Sequence, residues 1–512
     1  MKEIVVTPTQ MKIIENASAM LGVSLFSLMN NAGKCLAENV ITLYNRNDFS
    51  QGVVVLAGNG NNAGDGFVCA NILSTFGIKV SVILLCLEPK TDLAINAFHA
   101  LSPKVKVLIY GDCDYKGLIN SCDVVVDCIF GTGFHGEIDE QISEILQFVN
   151  SSESLIIGCD IPSGVSALNG ICSDNTLKCD YTVTFGAKKI GMLLSPAREM
   201  CGEILTCDIG IPKEAYSQIA EPVTHLDMGY VKRLIPKRSP NSHKGDFGKL
   251  LCLCGSKKFT GAAALSVLSA LRSGVGLCTL ASVECVTNII SGSIFEAIHL
   301  PLKEDENGQT DFSSYEEILK VAKTSSAILI GCGLGTSAEI SDLVCKLIEN
   351  VECPIILDAD GINAILDRID ILRNTKASII LTPHPGELAR LLNISTQEVL
   401  ERRVELSSKF SKEFGLILIS KGAGTVICTP DGSTYVSTTG NAGLSRGGSG
   451  DVLAGMISSF VAQGISPVNA SCAGVYLHGL AADRVAQKLS MQGMLPTDVI
   501  NELPLLFKDM ER

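Results

Sequence analysis

Short, unbroken apolar runs recur along this chain, each followed by a turn rich in glycine, asparagine or aspartate, with helical periodicity in between. In the first half they fall at residues 53–56, 80–85, 105–109, 124–126 and 155–157, and in the second at 250–253, 327–330, 355–357, 379–381 and 416–419. Such runs fit strands buried on both faces, and strands separated by helices pair in parallel. The pattern predicts α/β architecture. Ligands of such sheets sit at the carboxyl ends of the strands, so the residues after each run carry the functional information. Ahead of the first run, residues 10–45 read as helix, with Met11, Ile14, Met20, Leu21, Leu25 and Leu28 on its apolar face.

A chain of 512 residues is longer than one core of about 250–300 residues supports, so two or more domains are expected. The formal net charge of −13 argues against a nucleic-acid surface. No stretch approaches the roughly 18 apolar residues of a membrane span, and the N-terminus does not read as a signal peptide. The 20 cysteines are scattered through apolar runs with no C-x-x-C spacing, as small buried hydrophobes in a reducing compartment would be. A cytoplasmic location is expected.

The run at 53–56 leads into Gly58-Asn-Gly-Asn-Asn-Ala-Gly-Asp-Gly66. Its Gly58-x-Gly60-x-x-Ala63 matches the dinucleotide fingerprint in letters. Asn59, Asn61, Asn62 and Asp65 put more polar side chains there than that fingerprint needs. Asp127-Cys-Ile-Phe-Gly-Thr-Gly-Phe-His-Gly-Glu137 and Asp160-Ile-Pro-Ser-Gly164 follow later runs. Amide, hydroxyl and carboxylate oxygens from Asn62, Asp127, Asp160 and Ser163 together suit a hard cation; each alone also suits a helix cap or turn. With Phe185-Gly-Ala-Lys-Lys189, these segments make residues 1 to about 215 resemble the NAD(P)H-hydrate epimerase domain, which interconverts the R and S hydrates of NADH and NADPH. The resemblance implies that Asn61, Asn62, Ala63, Gly64, Asp65, Gly131, Thr132, Gly133, Phe134, His135, Gly136, Glu137 and Asp160 contact the hydrated nucleotide. It also implies that Asn62, Asp127 and Ser163 hold K+. Asp160 is the expected proton shuttle, because epimerisation makes and breaks bonds at one carbon. Ala63 and Asn30 depart from the family pattern, which has glycine and an acid there.

In the second half, Asn441-Ala-Gly-Leu-Ser-Arg-Gly-Gly-Ser-Gly-Asp451 precedes an apolar helical stretch. Glycines let backbone N–H groups approach an anion at the positive end of a helix. Asp451 beside such an anion reads as a general base or as a helix N-cap. Earlier run ends carry Gly331-Cys-Gly-Leu-Gly335, Asp358-Ala-Asp360, Thr382-Pro-His-Pro-Gly-Glu387 and Lys421-Gly-Ala-Gly-Thr425. Taken alone, the Asp358/Asp360 pair reads as a structural loop and His384 as a surface turn. As a set, with Ser242-His-Lys-Gly-Asp-Phe-Gly248, these motifs resemble the ribokinase-like fold and, within it, the ADP-dependent NAD(P)H-hydrate dehydratase, over nearly all of residues 225–505.

That resemblance implies that Ala263, Gly333, His384 and Asp451 contact the hydrate. Lys421, Gly422, Ala423, Gly424 and Thr425, with Asn441, Gly447, Gly448, Ser449 and Gly450, would cradle the nucleotide. Glu387 stands where an acid organises Mg2+. It implies further that ADP phosphorylates the ring hydroxyl of the S hydrate and that phosphate then leaves, giving AMP and NAD(P)H, with Asp451 as the base.

The expected fold class is therefore two different three-layer α/β domains: a Rossmann-like one at 1–218, a linker at 219–242, and a ribokinase-like one at 243–512. Expected partners are the hydrates NADHX and NADPHX and ADP, in a homo-oligomer, with neither nucleic acid nor membrane. The rivals are a ribokinase-fold small-molecule kinase fused to a nucleotide-binding domain, and a non-catalytic dinucleotide sensor.

Overall fold

The computed structural model describes residues 3–511. The described chain divides into two compact units, one over residues 4–223 and a second chiefly over residues 224–511. In the first unit, nine strands follow in order: β1 (Glu3–Val6), β2 (Val53–Ala57), β3 (Val80–Leu84), β4 (Lys106–Ile109), β5 (Val124–Cys128), β6 (Leu155–Cys159), β7 (Tyr181–Phe185), β8 (Lys188–Lys189) and β9 (Glu203–Cys207). Seven of them form a sheet in the order β4-β3-β2-β5-β6-β7-β9, parallel throughout. β1 pairs with β8, also in parallel.

Side chains of β2 alternate between two cores, as the period of a strand requires. Val53, Val55 and Ala57 join a core with Leu36 and Val40 of the helix Leu25–Arg46 and Phe67 and Leu73 of the helix Asn61–Thr75. Val54 and Leu56 face Ile119, Ile145 and Leu146 of the helices Tyr115–Asn120 and Glu140–Asn150. Helices thus cover both faces, in three layers. Strand order reverses between β2 and β5, and a crevice opens at their carboxyl ends. The stretch expected as one helix over 10–45 is two, Pro8–Met20 and Leu25–Arg46. Leu21 closes the first, and Ser24 caps the second by accepting the Ser27 N–H.

The division at 223/224 falls inside the stretch expected as a linker. There the chain forms β10 (Val223–His225) and the helix Met228–Lys232, and Leu226 and Val231 are buried in the core of the second unit. The second unit continues with β11 (Lys249–Leu253), β12 (Leu277–Val283), β13 (Ile298–Leu302), β14 (Ala327–Ile330), β15 (Ile355–Leu357), β16 (Ile379–Leu381), β17 (Ile417–Ser420), β18 (Thr425–Cys428) and β19 (Thr434–Ser437). Its sheet order is β13-β12-β11-β14-β15-β16-β17-β18-β19-β10. Pairing is parallel from β13 to β17, and β17-β18-β19 are antiparallel. One face packs on the helices Thr260–Arg272, Ser449–Ala462 and Pro467–Lys488, the other on Ala338–Asn350 and Thr396–Phe414. No helix among the described residues is long and apolar enough to cross a membrane.

Candidate active sites

In the first unit a cleft of about 700 Å³ opens at the carboxyl ends of β2, β5 and β6. Its walls include Asn61, Asn62, Asp65, Gly131, Thr132, Gly133, Phe134, His135, Glu137 and Asp160, all anticipated from the motifs. Ala63 and Gly64 lie under that wall, buried in the first turn of the helix Asn61–Thr75, and Gly136 is exposed beside it. The methyl of Ala63 meets no backbone strain, because the residue is helical.

Asp160, just after β6, is held at φ +63°, a conformation that costs a non-glycine residue on the order of 1 kcal/mol. What holds it is a set of donors on one carboxylate oxygen: the Thr184 hydroxyl at 3.2 Å, the Phe185 N–H at 3.1 Å, and the Lys189 ammonium. Lys189 is 1% exposed and spends its remaining protons on Thr184 Oγ1 at 2.9 Å and Phe185 O at 3.2 Å. Glu15, from the helix Pro8–Met20, also lines the cleft, and burial and then Asp160 raise its pKa. Neither Lys189 nor Glu15 had a role in the sequence reading. Glu15 is the single acid of the helix Pro8–Met20 and belongs to no motif, so no spacing singles it out.

Below the cleft, Asp127 is fully buried and accepts the Ser163 hydroxyl and N–H, both at 2.7 Å, and the Ile129 N–H at 3.2 Å. Burial pushes its carboxyl up to about 6 against those donors. Asn62 donates its amide to Phe130 O at 2.8 Å and Cys159 O at 3.1 Å. Asn62, Asp127 and Ser163 are thus brought together as expected, with two backbone carbonyls beside them.

In the second unit the helix Ser449–Ala462 has no side-chain cap, and Gly448 at its N-cap is left-handed at φ +98°. The left-handed φ favours glycine there, and a Cβ would also press on the Leu265 Cδ1 methyl at 2.6 Å. The free N–H groups at this end are an anion site. Asp451 is therefore not the cap. It lies in the first turn, and burial, then Asp358, pushes its carboxyl up to about 6.

Asp358, after β15, is 2% exposed and accepts the Lys421 ammonium at 2.8 Å, the Thr382 hydroxyl at 2.5 Å and the Cys332 thiol at 3.7 Å. Burial would raise its pKa, but Lys421 and these donors hold it below the usual carboxylate range. A Cβ on Gly450 would lie 3.4 Å from Lys421 Nζ and 3.6 Å from Asp358 Oδ2, so the ion pair sits under the helix start. The sequence reading of Asp358/Asp360 as a structural loop fits only Asp360, which accepts the Gly335 N–H at 2.8 Å. Asp358 belongs to the cluster around Asp451.

The loop carrying Lys421, Gly422, Ala423, Gly424 and Thr425 rests on Arg403. This guanidinium is 7% exposed and donates to Gly424 O at 2.6 Å and Ala423 O at 3.4 Å. A Cβ on Gly422 would lie 2.0 Å from Arg403 Nη1. Asp483 accepts the Gly440 N–H and the Asn441 amide, both at 2.9 Å, fixing the start of the glycine loop. Both supports escaped the sequence reading, since Arg403 follows an equivalent-looking Arg402 and neither support sits in a motif.

His384 caps the helix Pro385–Leu392, its Nδ1 accepting the Gly386 and Glu387 N–H groups. Glu387, 5% exposed, returns a bond from the His384 N–H at 2.8 Å and stands 4.0 Å from Lys421. Gly333 O accepts the Ser256 hydroxyl, and Ala263 is fully buried, packed under Gly255. Ser420, Ser449 and His478 each keep a buried polar atom without a partner among the described residues.

Residues 250–505 match the family model described as NAD(P)H-hydrate dehydratase, and residues 25–191 the one described as YjeF-related protein N-terminus. The chain is similar to the bifunctional NAD(P)H-hydrate repair enzyme Nnr of Moorella thermoacetica, at 32% identity across 94% of this chain and 92% of that one. It is similar at 34% to the Nnr of Thermofilum pendens, across 97% and 94%. Among solved structures it resembles the ADP/ATP-dependent NAD(P)H-hydrate dehydratase of Bacillus subtilis, at 31% identity and a TM-score of 0.48, covering 55% of this chain and 96% of that one.

Proposed function

The chain belongs to the family of bifunctional NAD(P)H-hydrate repair enzymes, and on that premise we propose which of its side chains do the work. The first unit interconverts the R and S hydrates in its 700 Å³ cleft, with Asp160 transferring the proton. The second removes water from the S hydrate at the expense of ADP. The observation that carries the second assignment is Asp451, a half-buried carboxyl beside the Lys421–Asp358 ion pair at an uncapped helix N-terminus.

Hydroxide is a poor leaving group and a phosphate ester a good one. Asp451 takes the proton of the ring hydroxyl as it attacks the terminal phosphoryl group of ADP. Lys421 and the N–H groups at Gly448 and Gly450 hold the transferring charge. The C–O bond to phosphate then breaks as the neighbouring ring carbon gives up a proton, and the ring double bond returns. The unpartnered atoms of Ser420, Ser449 and His478 support a polar ligand here, since buried polar groups without partners are rare. The residues fit Mg2+ as well, because Asp358 and Glu387 offer carboxylates next to the phosphate site, and Mg2+ binds through one or two carboxylates plus phosphates. When bound, it neutralises phosphate charge.

Arg403 shapes the nucleotide loop from behind. Arg403→Met is expected to raise the KM for ADP several-fold with little change in kcat, and Arg403→Lys to recover part of it, as steady-state rates on the S hydrate will show.

For the first unit we propose K+ beside Asn62, Asp127 and Ser163. Asp127 is a fully buried carboxylate with no basic side chain in ion-pair reach among the described residues; the Ser163 hydroxyl bonds to it, and the Asn62 amide binds the carbonyls of Phe130 and Cys159. That donor set fits a hard cation. K+ in place of choline is expected to raise the melting temperature of the wild type but not of Asp127→Asn. An equal K+ response in both would remove the ion from this place.

The function itself is tested by supplying both epimers with ADP or ATP and following recovery of reduced-nicotinamide absorbance. Accumulation of a stable phosphorylated product would favour a kinase, and binding without turnover a sensor. All 20 cysteines are free thiols, in keeping with the proposed cytoplasmic location.

A further inference from the structure

Glu15, Asp65, Asp160 and Lys189 line one cleft, together with the exposed His135, Glu137 and Asp139. Lys189 is saturated by Asp160, Thr184 and Phe185 and gives Asp65 no hydrogen bond, only a Coulombic pull smaller than the effects of burial, Asp160 and Glu15. Asp65 is 9% exposed, and no donor or cation touches its carboxyl among the described residues, yet it opens onto the cleft. A buried carboxyl without donors holds its proton, and burial, then Asp160 and Glu15, raise Asp65 well above the usual range. The remaining titratable neighbours are the buried thiols of Cys69, Cys128 and Cys159, all themselves raised. Asp160, by contrast, has an ammonium, a hydroxyl and an N–H on one carboxylate oxygen. Two carboxyls kept apart in this way are what acid–base chemistry at one carbon requires.

We propose that Asp65 is the catalytic proton donor of the epimerisation, with Glu15 as the relay that returns its proton and Asp160 as the base. The inference rests on the epimerase reading above. Asp65 protonates the ring hydroxyl; the C–O bond breaks and water leaves while the lone pair of the adjacent ring nitrogen forms a C=N bond. A water then adds to the other face of that carbon, the nitrogen recovers its lone pair, and Asp160 takes the proton of the entering water. Passage of that proton through Glu15 restores Asp65. One water leaves and one enters, with no change of oxidation state.

The test uses the full-length chain with ADP and separate R and S hydrates, read as initial rates. Asp65→Asn should lower kcat on the R hydrate about a hundred-fold, the low end of general-acid catalysis, with KM little changed and S-hydrate turnover intact. Intact S-hydrate turnover and an unchanged melting curve exclude misfolding as the cause. Glu15→Gln removes a negative neighbour, lowers the pKa of Asp65 and so shifts the alkaline limb of R-hydrate kcat/KM to lower pH. An Asp65→Asn rate within roughly three-fold of wild type, or a change in KM alone, would overturn the donor role; an unmoved profile in Glu15→Gln would overturn the relay. A wild type that never uses the R hydrate would overturn the epimerase reading itself.

Discussion

Asp451→Asn is expected to lower S-hydrate turnover by roughly 10²–10⁴-fold, the usual contribution of a positioned general base, while ADP still binds. The amide keeps the shape of the carboxyl but cannot accept the hydroxyl proton, and Lys421, Gly448 and Gly450 remain in place for the phosphates. In the wild type, the carboxyl must be ionised to act, so dehydration should fall as pH drops through about 6. The same burial carries a stability consequence. The folded-state pKa is raised above the unfolded value, so ionisation opposes folding, fully above about pH 6 and not at all below about pH 4. A shift of this size corresponds to about 2–3 kcal/mol, reduced by the residue's partial exposure. Asp451→Asn should therefore melt higher than wild type at pH 7 and not at pH 4, while being inactive at both. Near-normal turnover would remove Asp451 as the base, and a lower melting temperature at pH 7 would contradict the burial argument.

Strands and strand-end loops were legible because burial on both faces writes an unbroken apolar run, as in Val53–Ala57 or Ile355–Leu357. β7, with the sequence Tyr-Thr-Val-Thr-Phe, breaks that run with buried threonines and leaves no comparable signal. The helix break at Leu21 was hidden by apolar residues on both sides of it. Among site residues, those in glycine-rich motifs were readable, since the backbone conformation there dictates the residue. Arg403, Asp483 and Glu15 act from helices, where nothing in the local pattern separates an inward charge from a solvated one. Nothing local separates Asp358 from Asp360; which one meets Lys421 is decided by the order β15-β16-β17 in the sheet, which brings the ends of β15 and β17 to one rim. Ala263 shows the opposite case. Its position in the motif carried over by resemblance, yet its side chain is fully buried, which leaves only backbone to meet a ligand.

Asp160→Asn is expected to reduce use of the R hydrate to its spontaneous rate of epimerisation while S-hydrate dehydration continues unchanged, because the two chemistries lie in separate units. Asparagine is the informative replacement: it tolerates φ +63° better than alanine, so a loss reports chemistry rather than backbone collapse. It also separates the charge of Asp160 from its place in the fold. Lys189 is 1% exposed, and a buried ammonium stripped of its carboxylate costs on the order of 3–5 kcal/mol. Asp160→Asn should accordingly lower the melting temperature, and adding Lys189→Met should restore much of the loss by removing the stranded charge. The pair then yields a stable chain that repairs only the S hydrate. Equal consumption of both epimers by that double variant would sink the assignment of Asp160, since a stable fold without the carboxylate would still epimerise. Failure of Lys189→Met to recover stability would show instead that Asp160 and Lys189 are not each other's principal partner.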